Sequence, residues 1–242
     1  MYGIDHYKKK KNKHVIAKDI ILIYVIAVVF VLLFNSMILQ AYKVPSDSMF
    51  PAINEGTCVL TNKFAFGPKY PMTDARIFDG TGGIKRGDII VFMSNEYFGK
   101  SVLFRSFSSF VYTLTFSLVD ISHFQKSYES NIYIKRVIGL PGDRVSFKLV
   151  NDKVIVYING VEEKKVINID YKLIDETEEN SPLLSNMILQ NETVLKDGEF
   201  YVLGDNRISS SDSRIYGPIK AKQIIGKAVL KYWPFSSFGA VR

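Results

Sequence analysis

Residues 20–39 form an unbroken stretch of twenty without a charge, built mostly from Ile, Leu, Val, Phe and Ala. Wound as a helix at ~1.5 Å per residue, the stretch spans roughly 30 Å, the depth of a bilayer's hydrocarbon core. Three fates suit such a run: a buried core helix, a cleaved secretory signal, or a retained span. The apolar region of a secretory signal is usually only about 7–15 residues long. Asn35, Gln40 and Tyr42 also offer no clean small-x-small cleavage site. The reading is therefore a transmembrane anchor over 19–41. Lys8, Lys9, Lys10, Lys11, Lys13 and Lys18 stand against Asp5 alone, so residues 1–18 carry +5 of the chain's formal +7. Positive flanks stay on the cytoplasmic side. That makes 1–18 a basic cytoplasmic tail and puts 42–242 across the membrane. A near-neutral body behind a basic tail suits a membrane-flanking segment better than a nucleic-acid-binding face.

The body is long enough to bury one core, and its pattern is that of short strands. Residues 57–62, 89–92, 131–139, 146–150, 154–158, 199–203 and 224–233 read as strands from their β-branched and apolar content. Leu140-Pro141-Gly142-Asp143 is a turn signal, and Asn159-Gly160 is a two-residue hairpin turn. Alternation along 131–139 puts Tyr133, Lys135 and Val137 on one face. With no long amphipathic helix in view, the expected fold is all-β, an open barrel or sandwich of mostly antiparallel strands. Two insertions interrupt it, at about 97–130 and 162–197. The second holds an acidic run, 175–182, that reads as a solvated loop. The first crowds Phe98, Phe104, Phe107, Phe110, Tyr112, Phe116 and Phe124 among serines. It is either an ordinary packed excursion or an aromatic surface at the membrane interface.

Other apparent signals carry less. Gly80-Thr81-Gly82-Gly83 lacks the GK[ST] ending and the preceding strand of a phosphate cradle, and reads as plain loop. Cys58 is the single cysteine, which excludes an internal disulfide and a thiolate metal cluster. In Thr57-Cys58-Val59-Leu60 it reads as a small buried hydrophobe. No HExxH stretch is present, so a zinc protease is unsupported. No metal or other cofactor is called for.

Ser48, in Val44-Pro45-Ser46-Asp47-Ser48-Met49-Phe50-Pro51, sits in a proline-bounded turn just past the apolar run. A serine hydroxyl is a weak nucleophile until a base stands beside it. His6 and His14 fall on the cytoplasmic side of the anchor, and His123 lies in the aromatic excursion without a carboxylate pattern. A Ser-His-Asp triad is poorly supported. Lys135, in mid-strand, is the better base, provided apolar surroundings strip its proton. The competing reading is an edge-strand lysine reaching for solvent.

Four stretches then resemble, in order, the sequence blocks of bacterial type I signal peptidases. They are Pro45-Ser46-Asp47-Ser48-Met49-x-Pro51, Arg86-Gly87-Asp88-Ile89-Ile90-Val91-Phe92, the run from Tyr133 to Asp143, and Gly204-Asp205-Asn206-Arg207-x-x-Ser210-x-Asp212-Ser213-Arg214. The resemblance implies a membrane-bound serine endopeptidase with a Ser/Lys dyad, Ser48 as nucleophile and Lys135 as general base. It implies that Ser46, with the backbone N–H of Ser48, forms the oxyanion site. Ser210 orients the lysine amine, Asp212 and Arg214 support the Ser210 loop, and Tyr133 packs on the lysine stem. Tyr42, Val44, Met49 and Ile134 fall where the family lines its small substrate pockets. The implied partners are signal-peptide-bearing precursors and the lipid bilayer, with cleavage after small-x-small sites. The implied location is the bacterial cytoplasmic membrane, single-pass, with the catalytic domain on the outer face. Ala52-Ile53 departs from the Thr-Leu common in the family after the proline. Two rivals stand beside this reading: a self-cleaving Ser/Lys repressor-type protease, and an inactive anchored β-domain.

Overall fold

The computed structural model describes residues 13–69, 73, 75–114, 132–167, 173 and 192–241. The elements run α1 (Lys13–Met37), β1 (Leu39–Lys43), β2 (Cys58–Asn62), β3 (Ile89–Met93), α2 (Asn95–Gly99), α3 (Val102–Leu114) and β4 (Ile132–Gly139). They continue with β5 (Arg144–Val150), β6 (Lys153–Ile158), β7 (Val161–Glu162), α4 (Glu163–Val166), β8 (Thr193–Val194) and β9 (Glu199–Leu203). The last are α5 (Ser213–Tyr216), β10 (Ile219–Lys220), β11 (Ile224–Trp233) and β12 (Gly239–Ala240). Several turns of 3-10 helix lie between them, one of which, Asp47–Met49, carries Ser48.

Two sheets organise the body, and every strand pairing among the described residues is antiparallel. The larger has the order β1-β2-β11-β3-β4-β9-β10, with β12 on β11, and the smaller the order β7-β6-β5-β8. The larger sheet curls into a half-barrel. The expected all-β class with antiparallel pairing stands. Strands 199–203 and 224–233 match β9 and β11 residue for residue, and the others shift by a residue or two.

Central strand β4 is the hinge of the design. Its β-branched sequence suits an extended backbone, and Ile134 to Gly139 are buried without the in–out alternation of a half-exposed strand. Its side chains therefore feed separate cores. Ile134 joins Met49, Ile53, Val59 and Val91, whereas Val137 joins Phe66, Ile90, Phe92 and Ile224. Ile138 packs with Val145, Phe147 and Leu203 against the small sheet. Each such fully buried aliphatic side chain contributes roughly 1.5–3 kcal/mol over an exposed one. The Leu140-Pro141-Gly142-Asp143 turn joins the sheets. There the Asp143 carboxylate accepts from Arg86, Asn159 and the Leu140 backbone N–H. The β6–β7 hairpin turns at Asn159 and Gly160, whose φ angles of 51° and 79° are the left-handed values that a tight hairpin needs.

Some expectations change. Cys58 is half-buried, because strand alternation gives the inward place to Val59, which has no exposure. A 13-residue helix, α3, occupies part of the aromatic excursion where no long amphipathic helix was expected. Its apolar positions Leu103, Phe107, Phe110, Val111 and Leu114 recur at helical spacing, with Arg105, Ser108 and Ser109 on the other side, a periodicity that the reading of the excursion passed over. Gly80-Thr81-Gly82-Gly83 is a plain turn, with both the backbone N–H and hydroxyl of Thr81 donating to Asp79. Helix α1 ends at Met37, and the chain is already in β1 by Leu39. Among the described residues no helix is long and apolar enough to cross a membrane; the unbroken run of described side chains in α1 covers 16–31. The lysines of the basic tail up to Lys11, His6, His123, Phe116, Phe124 and the acidic run 175–182 lie outside the described residues.

Candidate active site

The turn that carries Ser48 packs against β4. It is anchored at both ends by backbone bonds: Val44 N–H donates to Thr57, and Ile53 N–H donates to Met49. Ser48 and Lys135 are 87 positions apart in sequence, yet Lys135 Nζ donates to Ser48 Oγ at 2.6 Å. Both are buried, at 5% and 3% exposure. Ser46 Oγ donates to Ser48 Oγ at 3.2 Å from the more exposed side. A second hydroxyl therefore lies beside the first.

The lysine's surroundings explain its chemistry. Burial pushes its pKa down from 10.5 to about 8; Asp212 and Asp205 pull it up and Arg214 pushes it down, both more weakly. The cause is desolvation, because an ammonium loses its water shell inside the sheet and the neutral amine loses much less. The Tyr133 ring lies 5.8 Å from the amine. That ring stacks on Tyr216, with centroids 6.0 Å apart and planes 6° from parallel, and meets Phe92 edge-on. The lysine stem is thus held against a packed aromatic wall, on the face shared with Tyr133 as alternation predicted.

Behind the Ser48–Lys135 pair lies the loop from Gly204 to Arg214. Asp212 is wholly buried and accepts from Arg214 Nε at 2.8 Å, Arg214 Nη2 at 2.7 Å and the Gly204 N–H at 3.0 Å. Burial alone would raise this carboxyl, but Arg214 and the Gly204 N–H hold it below the ordinary carboxylate value. It is therefore an anion at neutral pH, and its charge largely answers that of Arg214. The Ser210 hydroxyl is buried beside the Asp212 carboxylate, which it helps to hold in the charged form, but it makes no hydrogen bond of good geometry. It sits beside Gly204, where any Cβ would collide with the Ser210 side chain and with the Ser48 carbonyl oxygen. Gly204 is thus what lets the Ser210 loop touch the serine turn. Asn206 completes the junction: its backbone N–H donates to the Ser48 carbonyl at 3.1 Å and its side chain to Asp47 O at 3.4 Å.

Sequence reasoning brought most of these groups forward and missed some. Ser46, Ser48, Lys135 and Tyr133 come together directly, and Ser210, Asp212 and Arg214 stand immediately behind. Tyr42, Val44, Met49 and Ile134 meet in one apolar cluster, each no more than 7% exposed. The ion pair between Arg136 and Asp205, the Asn206 clamp and the Tyr216 stack were not singled out. Arg136 and Asp205 form a two-bond fork, Nε to Oδ1 and Nη2 to Oδ2, each 2.8 Å, while Arg136 Nη1 donates to Gly87 O at 2.7 Å. The adjacency of Lys135 and Arg136 in a strand was the available signal, since two buried cations side by side require different solutions. His14, the one histidine among the described residues, lies in the first turns of α1.

Comparison with known proteins gives a consistent result. Residues 17–233 match the family described as signal peptidase, peptidase S26. The chain is 32% identical over 218 residues to signal peptidase I of Bacillus caldolyticus, covering 88% of this chain and 90% of the other. It is 30% identical over 221 residues to signal peptidase IB of Staphylococcus aureus, covering 88% of each. A crystal structure of a signal peptidase I from Enterococcus faecalis V583 is 25% identical and aligns with a TM-score of 0.32, over 60% of this chain and 95% of that one.

Proposed function

The chain belongs to the signal peptidase family, peptidase S26, serine endopeptidases that remove signal peptides, and from that premise we propose that Ser48 is its nucleophile and Lys135 its general base. The observation that carries the reading is the 2.6 Å contact between a buried serine hydroxyl and a buried lysine amine. The amine needs only to lose its proton, and desolvation lowers its pKa to about 8. The neutral amine then accepts the Ser48 proton while Ser48 Oγ attacks the scissile carbonyl carbon. Ser46 donates to the oxygen that becomes negative. The resulting ammonium returns its proton to the leaving amine, which departs as the new N-terminus of the mature protein. Lys135 next takes a proton from water, whose oxygen attacks the acyl ester and frees Ser48. Ser210, whose buried hydroxyl lies between the Asp212 carboxylate and the serine turn, orients the amine, and the Asp212–Arg214 pair holds its loop.

The substrate is a precursor cut after a small-x-small sequence. It lies extended beside residues 42–46 and 132–134, where side chains at alternate positions can enter shallow apolar recesses. Tyr42, Val44 and Ile134 form their walls, and Met49 supports them from below. Two features support this placement: β1 is at the edge of the large sheet, and β9 pairs with β4 only from Arg136 onward. Helix α1 anchors the enzyme in the cytoplasmic membrane with the basic tail inside. The consecutive side chains Ile20, Ile21, Leu22, Ile23 and Tyr24 are each at least 58% exposed, as a lipid-facing helix requires. Sharing one bilayer with the substrate's signal segment raises the effective concentration of the cleavage site.

Cleavage of one labelled precursor by wild type, Ser48→Ala and Lys135→Ala tests the dyad. Loss of product in both variants is expected, and near-wild-type cleavage by Lys135→Ala overturns it.

A further inference from the structure

Helix α3 has its polarity reversed. Its sequence, VLFRSFSSFVYTL, contains one charged residue, Arg105. That arginine is 6% exposed and Ser108 is 3% exposed, whereas Leu103 and Phe107, one turn apart, are 72% and 60% exposed. A helix on a protein in water turns its apolar stripe inward and its charges outward. Here the inner face carries the polar side chains instead, and Arg105 is held by contacts of its own. Arg105 Nε donates to Lys100 O at 3.2 Å, its Nη1 lies 3.3 Å from Met93 Sδ, and its guanidinium rests over the Phe98 ring at 5.1 Å.

The position of the helix matters as much as its polarity. It packs against α1, which itself exposes Val25, Ile26, Val29, Phe30 and Phe34. It is rooted at Met93, the last residue of β3, which pairs with Ile132 at the start of β4. Lys135 is three residues further along β4, roughly 10 Å at strand spacing. The root is firm: Gln223 Nε2 donates to Met93 O at 3.1 Å and to Asn95 Oδ1 at 2.8 Å.

We propose that α3 is a second lipid-contacting element, laying Leu103 and Phe107 into the outer surface of the bilayer beside α1 and so fixing the height and tilt of the Ser48–Lys135 centre above it. The proposal rests on the membrane-anchored peptidase reading above. The bilayer is the occupant the structure favours, because the exposed face of α3 carries no charge and continues the apolar surface of α1. An anchor alone leaves the body free to swing about β1, whereas two contacts define a plane.

The test uses the full chain in phosphatidylcholine vesicles. A tryptophan introduced by Phe107→Trp, with the single native Trp233 changed to Phe, is expected to be quenched by brominated phosphatidylcholine. The double variant Leu103→Ser/Phe107→Ser is expected to cleave a vesicle-inserted precursor roughly fivefold more slowly, as effective concentration at the site falls. Its cleavage of a short soluble peptide in detergent is expected to stay at the wild-type rate. Absence of quenching overturns the proposal, as does an equal loss on both substrates. Dissociation of an oligomer in detergent by the double variant also overturns it, by assigning the face to a second copy of the chain. If wild type fails to cleave the peptide, the peptidase reading falls, while quenching still reports on α3 independently.

Discussion

Two neighbouring cations on β4 meet opposite treatment on the two faces of the sheet. Arg136 is buried with a carboxylate in a two-bond fork and a carbonyl on its remaining nitrogen. Lys135 is equally buried, but what it touches is a hydroxyl. The first face neutralises its charge and gains a rigid junction. The second offers no carboxylate in contact, and burial lowers the pKa of the amine to about 8, as the proposed base requires. Burial is common to both; the partner decides whether a buried cation becomes a brace or a base.

The largest expected effect is on the Lys135 face. Lys135→Ala and Ser48→Ala should each lower kcat by about 10⁴-fold or more, as losses of a nucleophile or its base do elsewhere. Lys135→Arg should do no better, since a guanidinium stays protonated. A Lys135→Arg enzyme with measurable turnover would break the contrast. On the other face, Arg136→Met should cost about 3–5 kcal/mol of stability, because it strands Asp205 in a dry site, and thermal unfolding in detergent would show it. Ser46→Ala should reduce kcat by roughly 10²–10³-fold with little change in KM, the signature of an oxyanion donor.

Smaller effects concern the proton itself. Lys135→Met should stabilise the fold at pH 7 by on the order of 3 kcal/mol. The sign follows from linkage: the folded pKa of about 8 lies below the unfolded value of 10.5. Below pH 8 both states hold the proton and the folded state bears the full cost of burying it. The cost shrinks as the pH rises from 8 to 10.5, so the variant's advantage should shrink over that interval in paired melts. The smallest effect is the pH dependence of wild-type activity. Rates should rise about tenfold per pH unit below pH 8 and level off above it. A flat profile from pH 6 to 9 would remove the free-base role of Lys135.

The same contrast explains what was legible in the sequence. Ser48 could be singled out because prolines fix its turn locally, and Lys135 because a long cation in mid-strand is conspicuous. The strands 199–203 and 224–233 were readable to the residue because turn-forming sequence bounds them. The partner of Arg136 was not readable. Asp205 is 69 positions away, and a long-range fork leaves no periodicity behind. Nor was the work of Gly204, a position that looks like any loop glycine until a second chain segment is laid against it. Cys58 was misjudged because composition reports apolar company, whereas strand alternation decides which neighbour turns inward. The helical spacing of α3 was legible in 102–114 and was passed over among the aromatics; that its polar side is the buried one was not legible, because periodicity does not say which face turns inward.

The burial of Lys135 also sets a clock. A chain not yet folded carries a lysine as fully protonated as any in open water, and on the proposed mechanism its serine has nothing to give its hydrogen to. Only when β4 pairs with β3 and the Ser48 turn closes over it does that ammonium become unwelcome. Competence to hydrolyse therefore arrives last, with the finished architecture, and an immature enzyme is harmless to the precursors crowding around it.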